Sequence, residues 1–182
     1  MKNGVVFMDV DTQKDFMDPK GALYVPGAVS LVKILKSITS LADGYRIPIV
    51  SSLDWHAPRD PEFKMFRPHC VRNTAGARKI SATVAVKTKQ IFIRKKTYDV
   101  FSNPAAFEAL AGFSDVYVYG VALDYCVKAD CLGALKLGLN VYLIKDATKA
   151  ISPVTGKEAL RLLRTSGVHI ITSRSLKRRI GL

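Results

Sequence analysis

Apolar residues fall along this chain in two alternating patterns, short unbroken runs and longer stretches at helical spacing. Val5 to Val10 reads as a first buried strand. Val29, Leu31, Val32, Leu35, Ile38 and Leu41 then recur at helical spacing and predict an amphipathic helix ending near Asp43-Gly44. Ile47 to Leu53 is a second strand, and Gln90 to Arg94 a third that could begin as early as Val84-Ala85-Val86. Asn103-Pro104 opens a helix through Leu110, with Gly112 as its stop. Val116 to Tyr119 is a fourth strand, followed by a helical run that opens near Asp124 and covers Tyr125 to Leu137 before Gly138. Asn140 to Ile144 is a fifth strand. Thr155-Gly156-Lys157-Glu158 is a capping-box signature for a helix that stops at Gly167, and Val168 to Thr172 completes a sixth strand. Strand and helix in alternation predict an α/β fold. The expected architecture is three-layer α/β/α, built on a six-stranded, mostly parallel, doubly wound sheet.

Two segments interrupt this rhythm. Asp15 to Pro26 is a loop punctuated by Pro and Gly, and Asp54 to Gly76 is a long irregular stretch. Loops of that length inside a compact domain are usually functional or disordered, and Trp55, His56, Phe63, Phe66 and His69 make the second too aromatic for a linker. With 182 residues, 48% of them hydrophobic, one domain spanning 1–182 is expected. No apolar run has the length of a membrane span, and Met1-Lys2-Asn3-Gly4 leads straight into the first strand rather than forming a signal peptide. Cys70, Cys126 and Cys131 are odd in number and not closely paired, so they read as free thiols of a cytoplasmic protein.

Charge complicates the picture. Lys and Arg number 28 against 15 Asp and Glu, a net charge of +13. Basic residues crowd the stretch from Arg59 to Lys96, opposed only by Asp60 and Glu62. They are scattered singly, without a nucleic-acid-binding motif or interleaved aromatics, which disfavours nucleic acid as the partner. A solvated basic face that steers an anionic ligand fits better.

In a doubly wound sheet, ligands bind outside the carboxyl ends of the strands. Asp11 follows the first strand, Lys95 the third and Cys126 the fourth. Cys126 would lie in the first turn of a helix, where free N–H groups and the macrodipole favour the thiolate. A thiol, a carboxylate to carry its proton and an ammonium to lower its pKa are the parts of a cysteine nucleophile. Each residue also has a plainer reading: Asp11 as a turn cap, Lys95 as a solvated neighbour of Lys96, Cys126 as core. Asp54-Trp55-His56 puts an acid and a histidine on one side of an extended segment, and His69 could close a metal site with them. Mixed nitrogen and oxygen ligands suit Zn²⁺, Fe²⁺ or Mn²⁺, and Glu62 could add an oxygen. His169, alternating with apolar residues in the last strand, reads as structural.

Six segments in order resemble the isochorismatase-like cysteine hydrolases. They are Asp11-Thr12-Gln13-Lys14-Asp15-Phe16, Gly21-Ala22-Leu23, Asp54-Trp55-His56, Pro68-His69-Cys70, Lys95 to Phe101, and Gly120 to Cys126. Within that family the chain is most similar to the nicotinamidases, also called pyrazinamidases. The resemblance implies a catalytic triad of Asp11, Lys95 and Cys126, and hydrolysis of a small-molecule amide through a Cys thioester. It implies one divalent metal ion, zinc before iron or manganese, on Asp54, His56 and His69, with Glu62 as a further ligand. The family's cis peptide falls at Val121-Ala122 and turns the N–H groups of Ala122 and Cys126 into an oxyanion hole. Phe16, Phe66 and Tyr98 are expected to wall the substrate ring, and a homo-oligomer is expected. Phe66 stands where nicotinamidases often carry tryptophan, and the segment after Lys95 is short. A different cysteine amidase of the same fold, acting on a ureido, carbamoyl or isochorismate-like substrate, is the nearest alternative. A basic binding module without catalysis is the more distant one.

Overall fold

The computed structural model describes residues 4–181; the Met1 to Asn3 segment expected to lead into the first strand lies outside them. Six strands, β1 (Val5–Val10), β2 (Ile49–Asp54), β3 (Gln90–Lys95), β4 (Asp115–Val121), β5 (Asn140–Lys149) and β6 (His169–Ile171), form one sheet in the order β3-β2-β1-β4-β5-β6. Every pairing among them is parallel. Six helices cover it: α1 (Lys14–Met17), α2 (Val32–Tyr45), α3 (Ala105–Leu110), α4 (Lys128–Lys136), α5 (Pro153–Thr165) and α6 (Ser173–Arg179).

Alternation along β1 explains the two helical layers. Val6, Met8 and Val10 pack with Ala106 and Leu110 of α3, Cys131 and Ala134 of α4, and Ala159 and Leu163 of α5. Phe7 points the other way and packs with Phe16 of α1, Leu35 and Ile38 of α2, and Leu176 of α6. A strand buried on both faces has to be apolar throughout, which is why β1 reads as an unbroken run. Burying Leu35 and Ile38 contributes roughly 1.5–3 kcal/mol each, more than the ~1 kcal/mol that Gly44 costs inside α2. The helix therefore continues through Gly44.

From β1 the chain builds outward through β2 and β3, then crosses back to lay β4 on the other side of β1. That reversal opens a crevice at the carboxyl ends of β1 and β4. Gly120 makes the close approach of the two strands possible. Its φ is +115°, and a Cβ there would lie 2.1 Å from the carbonyl oxygen of Val10.

Several boundaries differ from the sequence expectation. Val84 to Val86 is not part of β3; it follows a 3-10 turn (Ser81–Thr83) as loop, and Val86 is exposed with its N–H on the Asp43 carboxylate. α2 ends at Tyr45, and the left-handed residue that stops it is Arg46, not Gly44. α5 begins one turn earlier than the capping box suggests, because Ser152 accepts from the Thr155 N–H and Pro153 sits at the first helical position. β5 runs on to Lys149 past an irregularity in its pairing with β4, and the basic helix α6 was not expected at all. No helix among the described residues is long and apolar enough to cross a membrane.

Gly120→Ala should cost about 2 kcal/mol or more in urea unfolding, since it adds both a positive-φ penalty and a backbone clash at the crevice. A variant within about 0.5 kcal/mol of wild type would mean that β1 and β4 are not packed this closely.

Candidate active site

Four buried polar side chains meet where β1, β2 and β3 end. Asp11 follows β1 with φ of 48°, an uncommon conformation for a residue other than glycine, and its N–H donates to Ser52 O at 3.3 Å. The Ser52 hydroxyl donates to Asp11 Oδ1 at 2.7 Å. Lys95 is the last residue of β3, in register with Asp54 at the end of β2. Its Nζ pairs with Asp11 Oδ2 at 2.7 Å, pairs also with Asp54, and lies 3.6 Å from Cys126 Sγ. Lys96 is exposed, so strand parity selects Lys95.

Cys126 lies on a π-helical turn (Leu123–Val127) that bridges β4 and α4, and the Val121–Ala122 peptide is cis. The sequence argument for a resting thiolate needs correction here. Burial pushes the Cys126 thiol well above its usual pKa, and the Lys95 ammonium only partly opposes this. Burial also raises the Asp11 carboxyl, again against the pull of Lys95. Burial favours a neutral Lys95 too, but Asp11 and Asp54 outweigh it and hold the ammonium well above its usual pKa. The resting site therefore holds a thiol beside a carboxylate of raised basicity. Asp11, Asp54 and Cys126 each offer an atom within 4.8 Å of the others, so the proton has a short way to travel.

A second group stands beside the first. Nε2 of His56 and Nε2 of His69 lie 3.7 and 3.6 Å from Asp54 Oδ2, with the two rings 4.8 Å apart. His69 Nδ1 is 2.7 Å from Arg67 O, and His56 Nδ1 faces Asp60 Oδ2 at 3.3 Å, which leaves both Nε2 atoms turned to the same point. His56 Nε2 is buried without a hydrogen-bond partner. Burial disfavours charge on Asp54, but Lys95 and both histidines override it and hold the carboxyl far below the usual range. Two imidazole nitrogens and a carboxylate oxygen converging on one point could hold a divalent ion. Glu62 groups with His56 and Asp60 rather than with this trio. His169 stacks on Tyr142 at the opposite, amino end of the sheet.

Both groups border one cavity of about 170 Å³. Phe16, Phe66 and Tyr98 line it as the sequence suggested, and Leu23, Tyr125 and Ile151 join them. Cys70 and Cys131 are buried away from it, and burial raises both thiols.

The residues that hold these groups in place escaped the sequence reading. Gln13 clamps Asp54 by both backbone groups, donating to its carbonyl and accepting from its N–H at 2.8 Å each. Asp15 accepts from Ala22 N at 3.1 Å and from Cys70 N at 2.7 Å, joining the two irregular loops behind His69. Asp124, on the turn that carries Cys126, accepts from Ile151 N at 3.0 Å and from the Thr155 hydroxyl. Asp15 and Gln13 lie inside the quoted motif, so their signal was present without a role attached.

The model of the Isochorismatase domain matches residues 5–175, and the chain belongs to the isochorismatase family. It is 29% identical to a nicotinamidase of Acinetobacter baylyi over 96% of this chain and 95% of that one. A pyrazinamidase of Pyrococcus horikoshii solved in complex with zinc is 32% identical, with a TM-score of 0.84 over 92% of this chain and 98% of its own. PnC1 from L. infantum, solved in complex with nicotinate, is 26% identical at the same TM-score over 96% of each chain. With these relatives, the chain is an amidohydrolase.

Removing Lys95 should strand two buried carboxylates. Lys95→Met is expected to cost roughly 3–5 kcal/mol in urea unfolding of metal-free protein, whereas the exposed Lys96→Met stays within about 0.5 kcal/mol of wild type. Equal, small losses in the two would show that Asp11 and Asp54 do not depend on this cation.

Proposed function

We propose that this chain hydrolyses the carboxamide of nicotinamide, and of pyrazinamide, to the acid and ammonia through a thioester on Cys126. The observation that carries this reading is the position of Lys95, in contact with Asp11, Asp54 and Cys126 at once. Cys126, Asp54 and His69 line one small apolar cavity, with Asp11 and His56 buried behind them. The nicotinamidase and pyrazinamidase relatives support the choice of amide.

Asp11 takes the Cys126 proton as sulfur attacks the carboxamide carbon and the C–S bond forms. The N–H groups of Ala122 and Cys126 hold the resulting oxyanion, worth about 3–4 kcal/mol per donor in comparable sites. Collapse breaks the C–N bond, and Asp11 returns its proton to the departing ammonia. Asp11 next takes a proton from the water that attacks the thioester. The C–S bond breaks, the acid leaves and Cys126 recovers its proton. Lys95 balances the negative charge that alternates between Asp11 and the sulfur.

Asp54, His56 and His69 would hold one divalent ion; Glu62, which groups with His56 and Asp60 instead, borders the same cavity without joining the trio. Zinc is the first choice, and iron or manganese suits the same donors. Such an ion supplies a Lewis-acid grip on the ring nitrogen and so sets the carboxamide against the thiol. Phe16, Phe66 and Tyr98 flank the ring.

Ammonia release from nicotinamide should fall by about three orders of magnitude or more in Cys126→Ala, while Cys70→Ala and Cys131→Ala retain most of it. Ammonia from a ureido or carbamoyl panel but none from nicotinamide would move the chain to a different amidase of the fold. Purified protein should carry about one equivalent of zinc, iron or manganese, and His56→Ala should lose it without slowing alkylation of Cys126. Benzamide, which has the carboxamide but no ring nitrogen, should be a poor substrate. Full nicotinamide turnover by metal-free protein would return the histidines to loop packing.

A further inference from the structure

Three aromatic rings from three separate segments meet at the mouth of the cavity. Phe66 comes from the loop that carries His69, Tyr98 from the loop after β3, and Tyr125 from the turn that carries Cys126. Tyr125 stands between the other two, with ring centroids 6.0 Å from Phe66 at an interplanar angle of 86° and 6.0 Å from Tyr98 at 67°. Both contacts are edge-to-face, the favourable arrangement for aromatic quadrupoles. Tyr125 is 38% exposed and Tyr98 42%, so the pair forms the rim of the cavity and not its floor. The Tyr125 hydroxyl makes no hydrogen bond among the described residues, which leaves ring packing to fix its position.

The space behind this rim is small. About 170 Å³ is well below the ~300–1,000 Å³ of pockets that take drug-sized ligands. Tyr125 and Cys126 line the same cavity, so an acyl group on sulfur forms in the space that Tyr125 bounds. A substituent on that acyl group that points to the mouth must displace Tyr125 and lose both edge contacts.

We propose that Tyr125 is a specificity-determining residue, closing the mouth with Phe66 and Tyr98 so that a ring carboxamide whose substituent points to the mouth is kept from Cys126. Rings that carry a methyl or a ribosyl group on that side are excluded by size. The ring chemistry rests on the nicotinamidase reading above, but the size limit does not.

Two measurements separate these. The first compares kcat/KM for nicotinamide with that for its ring-methylated positional isomers. Wild type should reject at least one isomer by about tenfold or more, Tyr125→Ala should erase most of that ratio, and Tyr125→Phe, which keeps the ring, should preserve it. The second follows alkylation of Cys126 by peptide mass spectrometry, with iodoacetamide against N-benzyliodoacetamide. The small reagent should be favoured about tenfold in wild type and far less in Tyr125→Ala, at unchanged melting temperature. A wild-type chain inert to nicotinamide would overturn the substrate reading while the alkylation ratio still judges the rim. An alkylation ratio untouched by Tyr125→Ala would overturn the role of Tyr125, whatever the substrate.

Discussion

The ammonium of Lys95 sits fully buried between the carboxylates of Asp11 and Asp54, with the Cys126 sulfur as its third neighbour. Two carboxylates this deep in the fold are costly unless a cation offsets them, and no other buried ammonium reaches both among the described residues. The requirement propagates outward. Lys95 must end β3 in register with Asp54 of β2, and β1 must deliver Asp11 between β2 and β4. A one-residue slip of β3 would replace Lys95 by Arg94 or Lys96, whose side chains point to the other face. Arg94 already stacks there on Trp55, 4.4 Å from its ring.

The same charge divides the labour between Asp11 and Asp54. Lys95 and the two histidines keep Asp54 ionised despite its burial, as the proposed metal site requires of it. Asp11 is left the more basic of the two, and the Cys126 thiol stays protonated until it is engaged. Under the proposed reaction, a site that rests as thiol and carboxylate is less exposed to oxidation than one that rests as thiolate. The clamp of Gln13 on Asp54 and the bond of Asp15 to the Cys70 N–H tie the loops of Asp54 and His69 to the segment that follows Asp11.

How much of this was readable varied with the kind of signal. Strands buried on both faces announce themselves as apolar runs, so β1 emerges with its bounds and β2, β3, β4 and β6 nearly so, while the second half of β5, Lys145 to Lys149, is too polar to be read this way. Asp11, Lys95 and Cys126 were legible because each stands at the carboxyl end of such a run. Asp54 and His56 were legible from their spacing, which holds whatever the rest of the fold does. Long-range ties leave no local pattern, so Gln13 and Asp124 passed unnoticed in their roles. Apolar residues can also mislead: Val84 to Val86 looks like a strand, yet it is a loop, and Val86, Lys87 and Thr88 donate their N–H groups to the Asp43 carboxylate instead of to a neighbouring strand. α6 was invisible because seven residues, most of them basic or polar, bury only Leu176. Position in a helical turn can be read from a sequence but depth of burial cannot, so the upward push of burial on the Cys126 thiol leaves no sequence signal.

The most direct test of the central claim is acid-quenched mass spectrometry of the full chain during nicotinamide turnover. The account predicts a nicotinoyl thioester on the peptide that contains Cys126, absent from Cys126→Ala. Sustained ammonia release with Cys126 unmodified at every quench time, or an adduct on another residue, would contradict it.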